Sequence, residues 1–188
     1  MSIASHQVER QHARTDSGFD AIISTPVAET RIGIRCNRHG IVALRFLPEG
    51  QPCRQPSPDH PFHALLNQLL GALQHYFKHP QTPFSLPLVT AGTPFQRRVW
   101  QAISAIPCGQ TRSYAELARQ LNTSARAVGG ACRANLLPIL IPCHRVIAAN
   151  GGPGGFLGQT AGNGMAANLK QWLLQHEAVT EAPGIDVQ

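Results

Sequence analysis

"YAELARQLNTSARAVGGACRAN", residues 114–135, reads as two short helices around a polar link. A helix over "YAELARQL", a tight turn at "NTS" and a second helix over "ARAVGGACRAN" make the outline of a helix-turn-helix. Helical hairpins inside ordinary cores share that outline, so the composition of the second helix carries the question. Ala125, Ala127, Gly129, Gly130, Ala131 and Ala134 leave it almost without bulk. Each glycine costs about 1 kcal/mol relative to alanine inside a helix, and something must offset that.

Two explanations stand side by side. The helix packs closely on a neighbour, or it is slim because it lies against a surface that excludes larger side chains, such as a narrow minor groove. Arg126 is then its one long probe. Upstream, "PFQRRVWQAISAI" (94–106) is helical, with Phe95, Val99, Trp100 and Ile103 on one side, and "PCGQTRS" (107–113) breaks it. Further back lies a different texture. "FDAIIS", "RIGIRC" and "IVALRF" are short strands separated by "TPVAET" and "NRHG" turns. "EGQPCRQPSPDHP" is a proline-rich loop, and "FHALLNQLLGALQHYFK" (62–78) is an amphipathic helix that packs on the sheet through Leu65, Leu66, Leu69, Leu70 and Leu73. This gives a polar tail over 1–17, an α/β unit over 18–91 and a mostly helical unit over 92–188.

A chain of 188 residues with 43% hydrophobic content builds a real core, and its 15 prolines and 17 glycines are dispersed rather than repeated. The five cysteines, Cys36, Cys53, Cys108, Cys132 and Cys143, form no CxxC pair. The N-terminus lacks the apolar stretch of a signal peptide, and no run is long enough to span a bilayer. The expectation is a cytoplasmic protein without membrane association, in which a special cysteine is chemical rather than half of a disulfide. The net charge of +6 is unevenly placed. Arg97, Arg98, Arg112, Arg119, Arg126, Arg133 and Arg145 face one acid, Glu116, between Thr93 and Arg145. Such a segment is an electrostatic footprint for nucleic acid or a solvated arginine-rich surface.

"IPCHRVI" (141–147) is the candidate reactive segment. A thiol is nucleophilic as thiolate and needs a base or positive field to reach that state near neutral pH. His144 is the adjacent base, but neighbours in an extended chain point to opposite faces, so contact requires a turn or a bridging water. An acid must also orient the imidazole. "KQWLLQHE" (170–177) offers Glu177 at the end of a helical turn whose Trp172, Leu173 and Leu174 should be buried. On composition alone a structural cysteine is the commoner case. Cys108 and Cys132 read as small core residues, Cys36, His39 and Cys53 lack zinc spacing, and "NGGPGGFLG" reads as a flexible loop rather than a phosphate site.

Four segments in fixed order then resemble one family, the O6-alkylguanine-DNA alkyltransferases: "PFQRRVWQAISAIPCGQTRSYAELA", "ARAVGGACRAN", "PILIPCHRVI" and "KQWLLQHE". The resemblance implies a small antiparallel sheet with a helix, ribonuclease-H-like, followed by a helical domain with a helix-turn-helix. It implies that Cys143 takes an alkyl group from O6 of a flipped guanine in duplex DNA, with O4-alkylthymine a further candidate substrate, once and irreversibly, with no cofactor and no metal at the site, as a monomer. His144 would take the thiol proton through water, Glu177 would hold the imidazole, and Tyr114 would donate to guanine N3. Arg126 would fill the vacated stack from the minor groove. Ala125, Ala127, Gly129, Gly130, Arg133, Thr93 and Ser113 would share the DNA interface. Asn135, Arg145, Val146, Phe156, Leu157 and Gly158 would surround the base, with the carbonyls of Cys143 and Val146 accepting from its amine and an N–H near Leu157 donating to O6. The sequence departs from the family pattern in "GGFLGQTAGNGMAANLKQWLL" (154–174), where Phe156 and Leu157 replace tyrosine and a small or polar residue and the loop is longer. A lesion sensor without chemistry, or a DNA-binding regulator, is the alternative reading.

Overall fold

The alternation of Ile32 and Ile34 with Leu44 and Phe46 sets the register of an antiparallel sheet. In the computed structural model, which describes residues 18–27, 30–159 and 164–178, the strands are β1 (Ala21–Ser24), β2 (Thr30–Asn37) and β3 (Gly40–Pro48), in the order β1-β2-β3. Ile32 lies opposite Phe46 and Ile34 opposite Leu44, so all four enter the core together. Gly40 closes the β2–β3 hairpin at φ +144°, and a Cβ there would lie 2.3 Å from the Pro87 carbonyl oxygen. That close approach ties the sheet to the extended segment 80–94, where Ile41 N–H donates to Pro87 O and Val89 N–H to Ile41 O.

Helix α1 (His63–Tyr76) buries Leu66, Leu69, Leu70, Leu73 and Tyr76. Helices α2 (Pro94–Ser104) and α3 (Tyr114–Gln120) start on matching devices. Thr93 and Gln96 form a capping box on α2, as do Ser113 and Glu116 on α3, satisfying backbone N–H groups that a helix start leaves open. Ser124 caps α4 (Ala125–Arg133) through the Ala127 N–H. The link between α3 and α4 is residues 121–124, one longer than the expected turn, because Leu121 has already left the helix. Helix α5 (Met165–Ala178) begins five residues ahead of "KQWLLQHE". Leu173 is buried as expected, whereas Trp172 and Leu174 are only half-buried.

One cluster of buried side chains runs from Ala21 to Leu173, so the change of texture near residue 91 does not interrupt the core. The Leu44 N–H also donates to the Leu136 carbonyl across it. The expected tail over 1–17 lies outside the described residues, as do 160–163 of the long loop and 179–188.

Candidate active site

Two short devices set the position of Cys143. Residues Cys143–Arg145 form a single 3-10 turn, and the chain then pairs in parallel with the residues ahead of α3: β4 (Arg112–Ser113) with β5 (Val146–Ile147), Arg112 opposite Val146. This two-residue ladder, invisible to periodicity, brings Tyr114 to the same cavity as Cys143. On the other side Asn135 pins the approach to the turn. Its amide donates to Ile141 O (2.9 Å) and to Cys143 Sγ (3.2 Å), and its carbonyl oxygen accepts the Leu137 N–H (2.9 Å). Inside that span Ile139 sits at φ +72°, a left-handed conformation that is costly for a β-branched residue. The Asn135 bonds and burial of Ile139 hold it there.

Behind the turn lies a buried polar cluster. His144 is fully buried and its Nε2 donates to Glu177 Oε1 at 2.9 Å, while Nδ1 is buried with no protein partner. Glu177 also accepts from Arg145, Nε to Oε2 at 2.8 Å and Nη2 to Oε1 at 2.9 Å, and from the Tyr76 hydroxyl at 2.9 Å. Burial would raise the Glu177 pKa, but the hydrogen bonds and charges of His144 and Arg145 overcome it and hold the carboxyl well below the usual range. Burial keeps the His144 imidazole neutral, against the pull of Glu177. Desolvation likewise raises the Cys143 thiol, with the Asn135 hydrogen bond and the Lys170 charge working in the opposite direction.

In front of the turn is an open cavity of about 550 Å³. Cys143 and Tyr114 reach it, as do Phe156, Leu157 and Gly158 from the loop and Ala125, Arg126, Gly129, Gly130 and Arg133 from α4. A Cβ added at Gly129 or Gly130 would meet nothing within 4 Å. Close helix packing therefore does not account for the two glycines, since α4 packs through Val128 and Ala131 and through the Trp100 indole bonded to Ala131 O (2.8 Å).

Several expected residues fall elsewhere. Val146, Asn135 and Arg145 do not line the cavity. Arg145 is drawn inward onto Glu177 and Ile106 O, so it is not part of the exposed basic set, which comprises Arg97, Arg98, Arg112, Arg119, Arg126 and Arg133. Thr93 and Ser113, expected at a DNA surface and not in the cavity, cap α2 and α3 with their hydroxyls, and Ala127, expected at the same surface, lies outside the cavity. Cys132 lines the cavity and Cys108 faces Glu177, so neither is the plain core residue expected. Their thiols are pushed up to about 12 and about 11, mainly by burial, which keeps them protonated and poorly nucleophilic. Among the described residues no group of three or more histidine, cysteine or acidic side chains could hold a metal.

Residues 94–179 match the family model for the DNA-binding domain of 6-O-methylguanine DNA methyltransferase. The methylated-DNA–protein-cysteine methyltransferase of Salmonella typhimurium is 50% identical over 95 residues, which are 50% of this chain and 52% of that protein. The match thus spans about half the length of that relative. The Methanosarcina mazei protein of the same name is 32% identical over 158 residues, 83% of this chain and 94% of its own. The chain belongs to the methylated-DNA–protein-cysteine methyltransferase family. A crystal structure of Mycobacterium tuberculosis OGT in complex with DNA superimposes with a TM-score of 0.65 at 34% identity, covering 84% of this chain and 91% of that one. As in those relatives, the fold joins a small sheet to helices; in this family member two further residues reach the site that sequence reading missed. Lys170 is fully buried on α5, its ammonium donating to Val146 O (2.6 Å) and Gly155 O (3.2 Å) and lying 5.7 Å from the Tyr114 ring centre. Burial brings its pKa down to about 8. Its sequence signal was a single lysine among the apolar residues of a helix whose one acid is Glu177. Tyr76 gave no signal at all, because its partner lies 101 residues away.

Proposed function

We propose that this protein repairs O6-alkylguanine in duplex DNA by transferring the alkyl group irreversibly to Cys143. The observation that carries the reading is the sulfur at the edge of an open cavity with the neutral, carboxylate-held His144 in the next position. The Cys143 sulfur attacks the alkyl carbon and forms a C–S bond as the O6–C bond breaks. The electron pair leaves with guanine, and the thiol proton passes through water to His144 Nδ1, the buried nitrogen without a protein partner. A proton returned to the purine restores guanine. The thioether has no route back, so each molecule acts once.

The base must leave the stack to reach the sulfur. Arg126, exposed on the first turn of α4, would fill the gap, and the open space at Gly129 and Gly130 lets α4 lie against the minor groove as a recognition helix of a helix-turn-helix. The exposed arginines would neutralise phosphates without reading sequence. Tyr114 donates to Gly155 O at 3.2 Å in the free protein and would exchange that bond for guanine N3. Cys143 O accepts the Val146 N–H and would take the guanine amine on its second lone pair, while the Val146 carbonyl, off the cavity and bonded to Lys170 in the free protein, would have to be exposed by the bound base to join it. Leu157 at φ +50° would present its N–H to O6. A division near residue 91, a ribonuclease-H-like N-terminal unit, a monomeric state and a cytoplasmic site of action belong to the same reading.

The test mixes reduced protein with excess duplex carrying one O6-methylguanine, beside Cys143→Ala. One added methyl on the Cys143 peptide, restored guanine and no second turnover are expected. Tight lesion binding without mass change would replace the reading with that of a sensor. Sequence-specific binding that changes on methylation would favour a regulator.

A further inference from the structure

Tyr76 belongs to α1, far in sequence from every residue of the cavity, yet it holds two consecutive residues of α5. Its hydroxyl donates to Glu177 Oε1 (2.9 Å), and its carbonyl oxygen accepts from His176 Nε2 (3.0 Å). The ring is 2% exposed and is fixed by edge contacts with Phe77 and His176 and a tilted contact with Phe84, at 5.4–5.5 Å between centres. His176 is stacked on Trp172 in turn.

The geometry at Glu177 gives this contact a purpose. The Arg145 guanidinium grips both carboxylate oxygens as a fork and fixes the carboxylate from one side. On the other side Oε1 must meet His144 Nε2. The Tyr76 hydroxyl reaches that same oxygen from a different element and holds it toward the imidazole. His144 then carries its proton on Nε2 and leaves Nδ1 free as the base. We infer that Tyr76 is a positioning residue for alkyl transfer: the N-terminal half of the chain supplies the hydroxyl that orients Glu177, and Glu177 fixes the tautomer of His144. The inference deepens the proposed function and rests on it for its kinetic reading, while its structural reading stands alone.

Tyr76→Phe removes the hydroxyl and keeps the ring. Single-turnover transfer from O6-methylguanine duplex is expected to slow about tenfold, the effect of one lost hydrogen bond to a charged group, with DNA affinity unchanged. Nitrogen-15 NMR of labelled histidine, with His144 assigned from a His144→Gln variant, is expected to show wild-type His144 as the Nε2–H tautomer and a mixture of tautomers in Tyr76→Phe. If both rate and tautomer stay as in the wild type, Tyr76 positions nothing. A slower rate with an unchanged tautomer and a matching loss of thermal stability reduces it to packing and overturns the inference. If the wild type transfers no alkyl group but the tautomer still shifts, the positioning role survives and the transferase reading fails.

Discussion

The two sides of the Cys143 turn are built on opposite principles. Behind it, His144, Arg145, Glu177 and Tyr76 converge in a space where their hydrogen bonds interlock and only the acceptor His144 Nδ1 is left without a protein partner among them. In front of it, α4 and residues 155–159 surround a largely empty cavity whose walls are mostly glycine, alanine and apolar groups, with Arg126 and Arg133 at the helix. The first side works by complete polar satisfaction, and the loss of one group strands its partners. The second works by absence, and its cost is paid in helix propensity at Gly129 and Gly130. A thiol between them is screened from water on one face and open to a large substrate on the other.

The contrast breaks first at Glu177. Glu177→Ala should destabilise the fold by about 3–5 kcal/mol, because it leaves the half-buried Arg145 guanidinium uncompensated. Urea unfolding measures this, and a loss below about 1 kcal/mol would mean that Arg145 finds water. Asn135→Ala is the next largest effect. It orphans the Leu137 N–H and takes one of two donors from Ile141 O beside left-handed Ile139, and a loss of about 1–3 kcal/mol is expected in the same assay.

A pH series reads the polar side without mutation. His144 is held neutral in the fold, so the unfolded chain binds the extra proton as pH drops below about 6.5, the ordinary histidine value, and stability falls there. Glu177 is held ionised, so a second loss begins as the unfolded carboxylate protonates below about 4.3 and continues until pH reaches its depressed folded value. Urea midpoints taken downward from pH 7.5 should show both limbs, and Glu177→Gln should remove the lower one. The smallest effect is expected on the open side. Gly129→Ala and Gly130→Ala should each raise stability by about 0.5–1 kcal/mol, since the new methyl meets nothing and the helix gains propensity. Thermal melting reads that gain, and weaker binding to duplex DNA beside it would tie the empty space to the substrate.

The cysteine, the histidine and the distal acid stood out as candidates in short local patterns, but the residues alone left a structural cysteine the commoner case, and the roles of all three came from the family resemblance. The strands and α1 were legible outright, as hydrophobic period is a local property. The role of Arg145 was misread as surface charge because the sequence counts charges and not their partners. Leu174 and Trp172 were placed too deep for a related reason: periodicity names a face of a helix, and only the neighbouring elements decide how much of that face is covered.

By itself, then, the sequence determined the main helices and strands and named a candidate reactive segment with the kind of chemistry a thiol and imidazole can perform. Tertiary structure decided which groups meet. The parallel pairing of Arg112–Ser113 with Val146–Ile147 brings Tyr114 beside the thiol, the last turn of α1 delivers a hydroxyl to Glu177, and the burial of Lys170 puts its ammonium on Val146 O and Gly155 O. Hydrogen bonds and charge pairs act over a few ångströms of space, and no spacing along the chain encodes a contact between residues a hundred positions apart.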